Sequence, residues 1–256
     1  MKIWGKIVGG TAGFAIGGPI AALLGVMAGH AVDHLVGQSA ADGTEIAAPA
    51  DPRDHPGLRE IAFTIGVIAL GAKMARVDGE VTRDEVEAFQ SFFHVPPGEE
   101  KNVQRFFDLA KRDASGFEPY ARQVAALFPD APEILENVIE GLFSIAQADG
   151  KVDVAEADYL AKVSNIFGLP SSRFERAKAA ALGAVECEPC VVLGIDPLAT
   201  DEQIREAWLR QVRANHPDRL MAQGLPEEAI AVANRKLALI NDAYDRLRRQ
   251  RGLVPA

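Results

Sequence analysis

The chain has 256 residues, 48% of them hydrophobic and 25% charged, with a formal net charge of -9. That balance belongs to folded material of one or two domains rather than to a disordered chain. It speaks against general nucleic-acid binding, which needs a basic surface to displace counterions from phosphates. With only two cysteines, Cys187 and Cys190, it also argues against a secreted disulfide scaffold.

The first predicted element is apolar and rich in glycine. From Ile7 to Val32 there is no Lys, Arg, Asp or Glu, a run long enough for the roughly 20 apolar residues that span a bilayer. Gly9, Gly13 and Gly17 recur at fours, as do Gly25 and Gly29. On a helix this spacing collects small residues on one face, where a second helix approaches closely in lipid. Residues 1–36 therefore read as a membrane segment with a tendency to pair as a homodimer. Gly17-Gly18-Pro19 interrupts the run, which points to a kink or a short re-entrant pair in place of a simple span; the alternative to a membrane segment is a soluble, aggregation-prone tail or a buried helix pair. Lys2 and Lys6 precede the run and Asp33 follows it. By the positive-inside rule, that places the N-terminus in the cytoplasm and the remainder outside. Residues 37–57, small and polar with three prolines, form a linker.

Residues 58–184 carry helical periods and no alternating strand pattern. One phrase occurs twice: MARVDGEVTRDEVEAF at 74–89 and IAQADGKVDVAEADYL at 145–160. Asp78 meets Asp149, Gly79 meets Gly150 and Glu85 meets Glu156, and upstream Val67 and Ile68 meet Val138 and Ile139. The echo predicts a duplicated helix-turn-helix unit. Asp78, Glu85, Asp149, Asp153 and Glu156 are candidate oxygen ligands for a divalent cation. Local physics favours a simpler account: Gly79 and Gly150 end helices in the left-handed conformation. Thr82 with Glu85, and Asp153 with Glu156, are then capping boxes that start the next helices. Neither copy has the spaced acids of an EF-hand loop. The grammar A-x-x-DG-x-V-x-x-x-E resembles that of TerB-like domains. The resemblance implies a compact helical bundle of two pseudo-repeats, with no established catalytic activity.

Cys187-Glu-Pro-Cys190 follows an Ala-rich helix and has no second Cys or His pair nearby. It reads as structural rather than as a redox or zinc motif. Over residues 188–256 the pattern sharpens. Thr200 and Gln203 form a capping box ahead of a helix. Ile204, Ala207, Trp208 and Val212 gather on one side of that helix, with Arg205, Arg210 and Arg213 on the other. Pro217 stops it, since the residue before a proline is pushed out of helical space. A second helix starts near Pro226 and carries Ile230, Leu237, Ile240, Tyr244 and Leu247 at the 3/4 rhythm. The two helices are expected to pack antiparallel across a loop of about a dozen residues. His216, Pro217 and Asp218 sit exposed at the near end of that loop.

The stretch VVLGIDPLATDEQIREAWLRQVRANHPDRL resembles a J-domain, with Gln211 departing from a usually apolar position. Together with the apolar start and the TerB-like middle, it is similar to the DjlA-like family of membrane-anchored J-domain co-chaperones. The resemblance implies an all-α protein that binds a DnaK-type chaperone and raises its ATP hydrolysis. His216, Pro217, Asp218 and Arg219, with Arg205, Arg210 and Arg213, would be the partner-binding residues. It implies the bacterial inner membrane, with the soluble domains in the cytoplasm. No catalytic constellation is present, so no enzyme activity, cofactor or resident metal is expected. The alternative is a membrane-tethered stress- or metal-sensing adaptor acting through the TerB-like domain.

Overall fold

The computed structural model describes residues 20, 56–77, 87, 100–112, 116–148, 150–182, 189–225 and 227–252. The protein is all-α, and no strand occurs among the described residues. Ten helices run in chain order among them. They are α1 (Pro56–Met74), α2 (Glu100–Arg112), α3 (Glu118–Leu127), α4 (Pro132–Ala146), α5 (Val154–Ile166), α6 (Ser171–Ala181), α7 (Pro189–Leu193), α8 (Asp201–Ala214), α9 (Pro217–Ala222) and α10 (Glu227–Gln250).

Two helices are wrapped by the others, and their sequences say why. Helices apolar over most of their surface belong inside a bundle. α1 is buried continuously from Ile61 to Ala75 and packs against α2, α3, α4 and α5. α4 packs against α1, α5, α6 and α10. These helices lead into the two echoed phrases, and the echoed pairs Val67 and Ile68, Val138 and Ile139 are all buried in one core. The surrounding helices are amphipathic: α3 buries Tyr120, Ala121, Val124 and Leu127 on one stripe. Gly66 lets α3 and Ile20 close on α1, because a Cβ there would meet the side chains of Val124 and Ile20. Tyr159 of α5 donates its buried hydroxyl to the Leu70 carbonyl at 2.8 Å, and burial pushes that phenol well above its ordinary range.

The second repeat turns as its sequence predicts. Gly150 has a φ of +108° with open space around its Cα, so its role is conformational. Asp153 then caps α5: its carboxylate accepts the Glu156 amide at 2.7 Å, and Glu156 accepts the Asp153 amide at 2.9 Å. The first copy's counterparts, Asp78, Gly79, Thr82 and Glu85, lie outside the described residues, as does Asp149. The expected membrane segment also lies outside them, apart from Ile20. That residue is fully buried in the bundle core, and its amide donates to Gln123 Oε1 at 3.2 Å. Among the described residues no helix is long and apolar enough to cross a membrane.

The C-terminal helices have a core of their own. Cys190, Leu193, Ala199, Ile204, Ala207, Ile240, Ala243 and Leu247 form it, flanked by Trp208 and Tyr244. Cys190 is buried and serves as a small hydrophobe there; Cys187 lies outside the described residues. The indole of Trp208 stacks on Tyr244 at 4.5 Å and donates to Asn241 at 2.9 Å. Arg251, just past the end of α10, reaches Asp201 at the start of α8 at 2.8 Å, so the two helices run antiparallel. The other side of this unit does not stand apart from the bundle: Leu220, Leu225, Ile230 and Ala233 join the bundle's own core.

Candidate functional site

Thr200 starts α8 with both halves of a capping box, its hydroxyl accepting from Gln203 N and its amide donating to Gln203 Oε1. The helix buries Ile204 and Ala207 and leaves Arg205, Arg210 and Arg213 exposed, as the periodicity predicts. It ends at Asn215, which is completely buried.

The stretch after it differs from the expected loop. Instead of a dozen irregular residues, a short helix, α9, begins at Pro217 with His216 as its N-cap. The reason is local: proline has no amide to leave unsatisfied at the first helical position, and its φ is already helical. Asp218 comes next in the first turn, where its negative charge suits the helix dipole. His216 Nδ1 accepts the Asp218 amide at 3.3 Å. Both side chains face solvent, 51% exposed for His216 and 81% for Asp218, so a partner can reach them. Proline therefore ends one helix and begins another, which fixes the backbone on both sides of the tripeptide.

Arg219 is placed differently from its neighbours. Its guanidinium lies 2.9 Å from Glu133 Oε1 of α4. That oxygen is buried and has no well-aligned hydrogen-bond donor, so the contact is an ion pair with poor hydrogen-bond geometry. Arg210, Arg213 and Arg219 line one cleft of about 520 Å³, together with Glu206 of α8 and with Glu133 and Arg173 of the bundle. Arg205 is exposed outside that cleft.

Beside the cleft the two units are joined by buried charge. Lys236 of α10, only 4% exposed, donates to Glu136 Oε1 and Asn137 Oδ1, both at 2.9 Å, and lies 3.2 Å from Glu140. Arg176 forks onto Glu136 through Nε and Nη2, both at 2.7 Å, and Arg173 adds a third contact at 2.9 Å. Burial alone would raise the Glu136 carboxyl, but Lys236 and Arg176 outweigh it and hold it down at about 2. For Glu140 burial wins over Lys236, and its carboxyl is raised. Asn137 also donates to Asn215 Oδ1 at 3.2 Å, which ties the end of α8 to α4.

This junction accounts for Gln211. It is half-buried at the cleft wall, close to where Arg176 passes Gly194. Gly194 has a φ of +67°, and a Cβ there would strike the Arg176 guanidinium. A polar side chain at 211 suits a surface covered by arginine rather than by apolar atoms. Sequence reasoning passed over the whole junction. Its signal was there, however: Glu133, Glu136, Asn137 and Glu140 form an i, i+3, i+4, i+7 polar stripe inside an otherwise apolar helix. A stripe of that kind needs a partner that can pair with it.

Of the five acidic candidates for a cation, Asp153 and Glu156 are committed to capping α5, and Glu156 is buried. The other three lie outside the described residues. Among the described residues no three His, Cys, Asp or Glu side chains are grouped to hold a metal ion.

Comparison with known proteins agrees with this architecture. The family model described as tellurite resistance protein TerB matches residues 64–179. The model described as co-chaperone DjlA transmembrane domain matches residues 1–46. Over nearly its whole length the chain is similar to co-chaperone proteins DjlA. It is 26% identical to the co-chaperone protein DjlA of Photobacterium profundum, covering 98% of this chain and 99% of that one. Identity to the DjlA of Coxiella burnetii is 25%, over 98% of each chain. With that of Escherichia coli (strain K12) it is 22%, over 98% of this chain and 99% of the relative. No solved structure matches the chain. The match at residues 1–46 supports membrane anchoring by the apolar segment.

Proposed function

We propose that this protein is a membrane-anchored co-chaperone that binds a DnaK-type chaperone through residues 188–256, a J-domain, and stimulates its ATP hydrolysis. The observation that carries this reading is the exposed His216-Pro217-Asp218 at the head of α9, held rigid between two helices beside the arginines of α8. A pre-turned loop presents Asp218 at low entropic cost. Exposed arginines set the rate and register of encounter with an acidic partner surface, so binding is salt-sensitive. ATP chemistry belongs to the partner. Because the partner needs ATP, residues 38–256 face the cytoplasm of the inner membrane, against the vote of Lys2 and Lys6. The small-residue face of the N-terminal segment supports pairing of two copies in the membrane.

The test is steady-state ATP hydrolysis by a DnaK-type chaperone with the full chain in lipid nanodiscs. Wild type stimulates hydrolysis, and His216→Gln or Asp218→Asn abolishes the stimulation. Asp218 is exposed, so Asp218→Asn melts within about 0.5 kcal/mol of wild type, while His216→Gln also gives up the cap on the Asp218 amide and costs about 1 kcal/mol. Unchanged stimulation by either variant refutes the mechanism. A reporter fused to the C-terminus and active only outside the cytoplasm stays silent if the topology is right.

A further inference from the structure

The cleft between the bundle and α8 is shared by two units that the sequence presents as separate. Arg210 and Arg213 line it from α8 and have no ion pair among the described residues. Arg173 lines it from α6, 30% exposed, with part of its guanidinium engaged by Glu136. Arg219 lies against it from α9, 43% exposed and poorly aligned on Glu133. Four guanidinium groups thus face the carboxylates of Glu133 and Glu206. The excess is positive, although the chain as a whole carries a net charge of -9.

We propose that this cleft seats an acidic segment of the chaperone partner, and that Arg173, supplied by the bundle, is a specificity-determining contact for it. The inference rests on the co-chaperone reading above. Guanidinium groups present planar forks that match carboxylates, and several converging on one cleft favour a run of acidic side chains over a single charge. A volume of about 520 Å³ admits several side chains. Position supplies the link to function. Asp218, at the exposed tripeptide, is followed directly by Arg219 at the cleft. A partner surface that reaches one is therefore beside the other. Arg219 keeps a second edge of its fork for an incoming carboxylate, since its contact with Glu133 uses one nitrogen in a poor alignment. The bundle is then part of the partner-binding surface and not only a spacer. It discriminates among chaperones by their acidic segment, a feature the α8 face alone reads less fully.

The experiment titrates the full chain into a DnaK-type chaperone and reads the half-maximal concentration and the maximal rate of ATP hydrolysis, at low and at high salt. Arg173→Gln raises the half-maximal concentration more than it lowers the maximum, by about twofold to fivefold at low salt, and the gap narrows at high salt. Glu206→Gln removes a negative charge from the cleft and shifts the half-maximal concentration the opposite way, downward by about twofold. This second variant separates the proposal from structural damage. Arg173 also touches Glu136, so its loss can loosen the junction, but damage does not make Glu206→Gln bind tighter. If both variants weaken binding together, or both match wild type while Asp218→Asn abolishes stimulation, the cleft assignment is overturned and the co-chaperone reading stands. If wild type does not stimulate, or Asp218→Asn changes nothing, the co-chaperone reading itself fails.

Discussion

Glu136 and Glu140 sit one turn apart on α4, face the same ammonium group and behave in opposite ways. Glu136 accepts from Lys236, Arg173 and Arg176, so its negative charge is over-compensated. Glu140 has Lys236 at 3.2 Å without good alignment, and its Oε2 has no hydrogen-bond donor. Removing one partner from a buried ion network leaves uncompensated charge and costs about 3–5 kcal/mol. Glu136→Gln is therefore expected to lower stability by that amount. Glu140→Gln, which removes a carboxylate already disfavoured by burial, is expected to stay within about 1 kcal/mol of wild type. Urea denaturation of the two variants checks this, and equal losses would refute the distinction. None of this was legible residue by residue. A buried glutamate and an exposed one look alike in a sequence, and Lys236 lies about a hundred positions from its partners.

At the scale of elements, the sequence was far more informative. Start and stop signals are local, and α5 and α8 begin with the side-chain caps that their residues predict. Thr200→Ala removes the α8 cap and is expected to cost about 1 kcal/mol. Because α8 carries the arginines, its fraying would also weaken binding, and the variant's thermal melt and its chaperone titration are expected to move together. The element that escaped was α9. A tripeptide with a central proline reads as a stop, and the same proline is a good first residue for a helix. Which role dominates depends on the residues after the proline and on where they pack. Leu220, completely buried in the bundle core, anchors α9 in a way no local rule contains.

At the scale of the whole molecule, the bundle and the C-terminal helices share apolar core and buried charge, and acid is expected to part them. Glu136 titrates near 4.5 when unfolded and at about 2 when folded. A depressed carboxyl stabilises the fold above its unfolded value, and that contribution, on the order of 3 kcal/mol, is lost as pH falls from 4.5 toward 2. Glu140 acts with the opposite sign: its raised carboxyl favours the folded state at lower pH, and that share is lost as pH rises above 4.5. Urea midpoints measured across this range should fall on acidification. Glu136→Gln is expected to flatten that acid limb, and an unchanged limb would show that other carboxylates carry it.

By itself the sequence determined the helical class, the caps of α5 and α8, the arginine face and the tripeptide beside it. All of these arise from residues within a few turns of one another, where periodicity and capping chemistry decide. Tertiary structure alone decided that Arg219 meets Glu133, that Lys236 enters the bundle and that the α8 arginines border a cleft walled by a second unit. Those outcomes depend on which buried polar stripe finds which distant charge, and the sequence holds both halves of each pair without stating that they meet.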